Sequence, residues 1–166
     1  MKITIRKMTV EDVPEVARID RLSFTLPWPE HAFHYEVSDN GAARCLVAET
    51  DDKRLAAMVV SWIIIDELHI ATIATHPEFR RQGIGARILT AALEEASEAG
   101  VKRAFLEVRA GNEAAQDMYH KFGFEESGRR VRYYKDNGED AILMTLESLD
   151  NHFASSGRKT GPLEKK

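Results

Sequence analysis

Between a strand-like apolar run, residues 68–74, and a helix-patterned run, residues 84–99, lies Arg81-Gln82-Gly83-Ile84-Gly85-Ala86. This stretch forces a strand–tight turn–helix unit into the middle of the chain. The two glycines let the backbone turn sharply and come close to a ligand. The helix that follows aims its free N–H groups and the positive end of its dipole at the same spot. Such a place is a socket for phosphate, and Arg80 and Arg81 add formal positive charge beside it.

The remaining segments read as a sheet with helices around it. Residues 2–6 alternate as a first strand. Thr9 is placed to cap a helix over 10–23, with Asp12 three residues on as its capping-box partner. Pro29 suits the first turn of a second, short helix through about residue 37. Residues 43–49 and 54–65 read as a hairpin, and 68–75 as a fourth strand. The long helix ends at Gly100, the usual place past a helix terminus. Residues 101–109 form a fifth strand, and Asn112 caps a helix over 113–121. Residues 124–134 and 141–147 are the last two strands, turning around Asn137-Gly138. The order β-α-α-β-β-β-α-β-α-β-β is a mixed α/β (α+β) sheet of about seven strands covered by helices. Most neighbours are antiparallel, and the fourth and fifth strands, joined across the long helix, are parallel.

Bulk properties narrow the function. One domain over residues 1–149 is expected, followed by a polar, disordered tail over 150–166. No apolar stretch approaches the ~18 residues of a membrane span, and residues 1–6 do not resemble a signal peptide. A cytoplasmic protein without a membrane partner is the default expectation. The formal charge is −4; residues 151–166 carry +3, which leaves −7 on residues 1–150. An acidic body argues against direct nucleic-acid binding and suits a basic peptide. The single cysteine, Cys45, excludes an internal disulfide and a multi-thiolate metal site. His69, His76, His31 and His34 lack the spacing of a metal centre, so no metal is expected.

Two common phosphate motifs fail. A dinucleotide fingerprint needs a third glycine three places after Gly85, where Ile88 stands, and no P-loop pattern occurs. The full set of segments instead resembles the GNAT N-acetyltransferase family, over about residues 1–149. The resemblance rests on His76-Pro77, the run Arg80 to Ala86, and Asn112, Ala114-Ala115, Tyr119 and Phe122-Gly123-Phe124. Pro27-Trp28, the run Leu106 to Asn112, Arg132-Tyr133-Tyr134 and the run Glu139 to Met144 narrow it to the RimI-type ribosomal-protein-alanine N-acetyltransferases. Ala86 departs from that pattern, standing where an arginine is common, with Arg87 next. Pro29 replaces a commoner serine or threonine.

The resemblance implies an acetyl-CoA-dependent enzyme. Arg81, Gln82, Gly83, Ile84, Gly85 and Ala86 would hold the cofactor's pyrophosphate, and Ile73, Ala74 and Thr75 would present backbone groups to its pantetheine arm between splayed strands. It assigns Glu107 as general base and Tyr119 as general acid, and has Asn112 touch CoA. The acceptor would be the N-terminal α-amine of a protein, a ribosomal protein beginning with alanine; a lysine side chain, a small amine, or a non-catalytic CoA-binding module are the alternatives. An α-amine, with a reference pKa of about 7.7–8.0 against about 10.4 for lysine, is a few hundredfold more neutral at pH 7. Each residue type also fits a plainer role. Glu107 shares a strand face with Phe105 and Arg109 and could pair with Arg109 or Arg103. Tyr119 could pack beside Phe122, and Asn112 could serve as a cap alone. Of Tyr133 and Tyr134, one should face the core by strand alternation. Oligomeric state is left open.

Overall fold

The computed structural model describes residues 1–149; the tail expected over 150–166 lies outside the described residues. Seven strands form one sheet in the order β1-β2-β3-β4-β5-β7-β6. In chain order these are β1 (Ile3–Lys7), β2 (Ala43–Thr50), β3 (Leu55–Ile64), β4 (Glu67–Thr75), β5 (Arg103–Arg109), β6 (Glu125–Arg130) and β7 (Ala141–Leu146). The helices are α1 (Val13–Ser23), α2 (Glu30–Ser38), α3 (Ile84–Glu98) and α4 (Glu113–Lys121). The sheet is the expected mixed one: β4 and β5 are parallel, and the other pairs are antiparallel.

Alternation along the strands builds two cores. Leu68, Ile70, Leu106 and Val108 pack with Ile88, Leu89 and Leu93 of α3 on one face, joined there by Tyr119 of α4. Val47, Met58 and Val60 pack with Val16, Ile19 and Phe33 of α1 and α2 on the other. Ile88, Leu89 and Leu93 are fully buried, so their spacing of one, four and five places along α3 is the apolar stripe read from the sequence.

Three boundaries differ from expectation. Residues 10–12 form a 3-10 turn rather than helix, and α1 starts at Val13 with Pro14 in its first turn, where the missing N–H costs nothing. There the Asp12 carboxylate accepts from the Thr9 N–H at 2.7 Å and from Arg6 Nη1 at 2.8 Å. β5 starts at Arg103 because the Val101 N–H bonds back to the Ala96 carbonyl at 3.0 Å, completing the cap around Gly100 (φ +90°). β6 stops at Arg130 instead of running to residue 134. Arg132 has φ +52°, and its N–H donates to the Asp140 carboxylate at 3.0 Å. Local acceptors close that loop, so the ladder has no further use for these residues.

The feature that creates the site is where β4 and β5 stop pairing. Their register covers only Glu67–Ile70 against Arg103–Leu106. On the other edge of β4, Val60 of β3 faces Thr72 while Ser61 faces Ile70, so Ala71 is an extra residue. A bulge bends its strand and raises its twist. It falls one residue past the last β4–β5 pair, and the two strands fork there.

Candidate active site

The fork opens a cavity of about 450 Å³. Ile70 to Ile73 of β4 line one arm, Leu106 to Arg109 of β5 the other, and Tyr119 closes the α4 side. Beyond Ile70 the outer edge of β4 has no strand partner, so its backbone groups are available to a bound chain.

Of the three β4 residues expected here, only Ile73 lines the cavity. Ala74 turns to the opposite core beneath α1, beside Val60 and Met58. Thr75 stands against the glycine turn: a Cβ on Gly85 would lie 3.3 Å from Thr75 Oγ1 and 3.7 Å from the Met118 sulfur. Gly85 therefore serves close approach, while Gly83 serves conformation. Gly83 has φ +76° and Arg81 φ +64°, both left-handed, and together they turn the chain into α3. Gly83 supplies no capping side chain to α3, which leaves the first-turn N–H groups of Ile84, Gly85 and Ala86 for an outside acceptor. A loop of this shape fits a pyrophosphate. Gln82 and Arg81 are exposed on it.

Two arginines near the loop are committed elsewhere. Arg80 donates through Nε to the Thr75 carbonyl at 3.0 Å and through Nη2 to the Ser23 hydroxyl at 3.1 Å, tying the loop to α1. Arg87 donates to the Ile3 carbonyl at 3.2 Å, so it is no replacement for the arginine missing at position 86.

Glu107 and Tyr119 both line the fork cavity. Glu107 is the exposed member of its strand face. Its carboxylate pairs with neither Arg109 nor Arg103 but with Arg130 Nε of β6 at 2.9 Å; the side chains are 33% and 55% exposed, so the pair is weak and replaceable. Arg103 bonds Glu67 instead. Tyr119 is buried, and its ring meets Phe124, not Phe122, edge-on at 5.9 Å between centroids. Burial pushes its phenol up to about 12, so it stays a proton donor throughout the neutral range. Asn112 does two things: Oδ1 accepts from the Ala115 N–H at 3.2 Å, capping α4, and the residue lines the cavity.

Other parts of the site were not anticipated. Asp20 is 1% exposed at the cavity wall. It accepts from the Trp28 N–H at 2.8 Å and from the Thr72 hydroxyl at 3.3 Å, which pins the segment between α1 and α2 onto β4. Desolvation holds its carboxyl above the ordinary range despite these bonds. Its only signal in the sequence was an acid on the apolar stripe of α1. Arg109 stacks 3.9 Å above the Tyr134 ring centroid and bonds Asp136 at 3.1 Å and Glu139 at 3.2 Å. Thr25 donates to Asp136 across the mouth of the cavity. No local spacing announces a contact 111 residues apart. Tyr133 and Tyr134, off the strand, both flank Glu107 and neither enters the core. His76 is buried and caps the turn at Glu78, and His69 pairs with Glu67. Cys45 is a packed β2 residue whose thiol burial pushes up to about 12.

An acidic group and a phenol facing one slot, beside backbone donors at a helix start, form an arrangement for acyl transfer to an amine. Comparison with known proteins points the same way. A family model described as Acetyltransferase (GNAT) family matches residues 13–124. The chain is 41% identical over 143 residues to a Bacillus subtilis (strain 168) protein provisionally named a ribosomal protein bS18-alanine N-acetyltransferase, covering 86% of this chain and 94% of the relative. It is 34% identical over 145 residues to the Escherichia coli (strain K12) ribosomal protein bS18-alanine N-acetyltransferase, covering 86% and 96%. The crystal structure of the Escherichia coli ribosomal-protein-S18-alanine N-acetyltransferase superposes with a TM-score of 0.81 at 32% identity, over 87% of this chain and 93% of that one.

Proposed function

The chain belongs to the acetyltransferase (GNAT) family, and we propose that it moves acetyl from acetyl-CoA to the N-terminal α-amine of a protein beginning with alanine, a ribosomal protein of the bS18 kind. The observation that carries the reading is the fork between β4 and β5, with Glu107 and Tyr119 on the walls of one cavity. The names of relatives that share more than four-fifths of the chain supply the acceptor class. In this reading residues 1–149 are the catalytic domain, and the enzyme works in the cytoplasm.

The cofactor supplies an activated acetyl thioester. The turn Arg81 to Ala86 holds its pyrophosphate on main-chain N–H groups, and the free edge at Ile73 bonds its arm. The neighbouring backbone at Ala74 and Thr75 keeps the edge in place through the pairs with Met58 and Ala57. Glu107 takes the proton that the amine loses as its nitrogen bonds the acetyl carbon. Tyr119 gives a proton to the sulfur as the C–S bond breaks. The Arg130 ion pair keeps Glu107 charged until the amine competes for it. Transfer is direct: Cys45 lies on β2 and is held as a thiol by burial, so no acyl-enzyme is called for.

The test follows thiol release from acetyl-CoA with an alanine-starting peptide, and with a lysine peptide whose N-terminus is blocked. Release with the first and not the second is expected. Release only with the blocked lysine peptide overturns the N-terminal assignment.

A further inference from the structure

Trp62 on β3 is in register with His69 on β4, and His69 with Phe105 on β5. The three rings form one row across the sheet. Phe105 lies two residues before Glu107 on β5, so both point to the same face. α1 and α2 cover that face over Val47, Met58, Val60 and Ala74 but leave the row half-exposed. The rings are fixed in place. His69 stacks on Phe105 with centroids 5.2 Å apart at 22°, and the Trp62 indole N–H donates to Glu36 of α2 at 2.7 Å. The row floors a second cavity of about 570 Å³, walled by Trp28 and Tyr133, which meets the fork cavity at Glu107.

We propose that this row is an acceptor subsite for an aromatic side chain at the third position of the acceptor chain. The proposal rests on the N-terminal reading above and deepens it. An extended chain with its amine at Glu107, lying back along β5, advances about 3.3–3.4 Å per residue. Two residues cover roughly 6.7 Å, the same step that separates Glu107 from Phe105 on the strand. The third side chain then arrives over His69 and Phe105, on the same side as the first. A flat neutral ring fits there better than a cation, because cations of the protein already attend the outer rings. The Arg103 guanidinium lies 5.5 Å from the Phe105 centroid, and that of Arg130 5.7 Å from the Tyr133 centroid. Ring-on-ring contact favours the aromatic peptide by about three- to tenfold.

Peptides Ala-Gly-Xaa-Gly-Ser-Gly, with Xaa phenylalanine, lysine or alanine, are compared by thiol release at saturating acetyl-CoA. The phenylalanine peptide is expected to exceed the alanine peptide three- to tenfold in kcat/KM, through KM, with lysine no better than alanine. Phe105→Ala, and separately the more superficial His69→Ala, are expected to shrink the preference below twofold. Equal rates for all three peptides, a preference for lysine, or a phenylalanine preference that survives both substitutions overturns the subsite. If no peptide is turned over, the N-terminal reading fails, and calorimetric binding of the same peptides decides the subsite alone. Tighter binding of the phenylalanine peptide then supports it, and equal binding overturns it.

Discussion

Replacing Tyr119 with phenylalanine removes one hydroxyl and keeps the ring that meets Phe124 at 5.9 Å. Two independent readouts follow from the burial of that hydroxyl. The first is catalytic. A phenol pushed up to about 12 giving its proton to a thiolate of pKa about 8.5 works uphill by about 3.5 pK units, or roughly 5 kcal/mol. A turnover of about 10 s⁻¹ corresponds to a barrier of about 16 kcal/mol, so the transfer fits inside it. Free tyrosinate has no place as a stable species, however, and the proton leaving the amine must refill the phenol in the same turnover. Tyr119→Phe is expected to lower kcat about a hundredfold with acetyl-CoA KM within about threefold. The second readout is stability. The folded phenol titrates near 12 and the unfolded one near 10, so between those values the folded state holds more protons and stability falls as pH rises. At pH 11 the wild type loses about 1.4 kcal/mol from this group, and about 2.7 kcal/mol once above pH 12; the phenylalanine variant loses neither. Urea unfolding at pH 9 and pH 11, compared between the two proteins, measures the difference. Parallel pH dependence in the two proteins, or a kcat within threefold of wild type, refutes the reasoning.

Glu107→Gln keeps the size of the side chain and removes the base; kcat is expected to fall about a hundredfold while calorimetric CoA affinity stays within twofold, and equal loss in both would mark the residue as structural. Gly83→Ala puts a Cβ on a residue at φ +76°, which costs about 1–2 kcal/mol in urea unfolding and weakens CoA binding by tilting the turn; an unchanged midpoint with unchanged CoA affinity would remove the turn from the site. Cys45, its thiol pushed up to about 12 by burial, should resist iodoacetamide at pH 8 in the native protein and label rapidly in urea; fast native labelling contradicts the packing described. Arg130→Gln breaks an ion pair that is largely exposed, so acceptor KM is expected to move by less than about fivefold, and a larger change in initial rates would give Arg130 a direct part in acceptor binding.

Much of the fold was legible because it depends on near neighbours in the chain. The apolar stripe of α3, the positive-φ glycines 83, 100 and 138, and the Asn112 cap all follow from spacings of a few residues. The strand face shared by Phe105 and Glu107 follows from alternation alone. The boundary at Arg130 was missed because loop acceptors such as Asp140 outbid the ladder, and such competition has no periodic signature.

By itself the sequence determined that a strand turns through glycine into a long helix, that a carboxylate and a phenol follow on the next strand and helix, and that the sheet is mixed. Only the tertiary structure decided that β4 and β5 part company at Ala71, that Glu107 pairs with Arg130, and that Asp20, Thr25 and Asp136 converge on one mouth. The division has a physical cause. Backbone conformation and face are set by residues within a turn or two, whereas strand register and ion-pair partners are settled by packing among segments far apart in the chain.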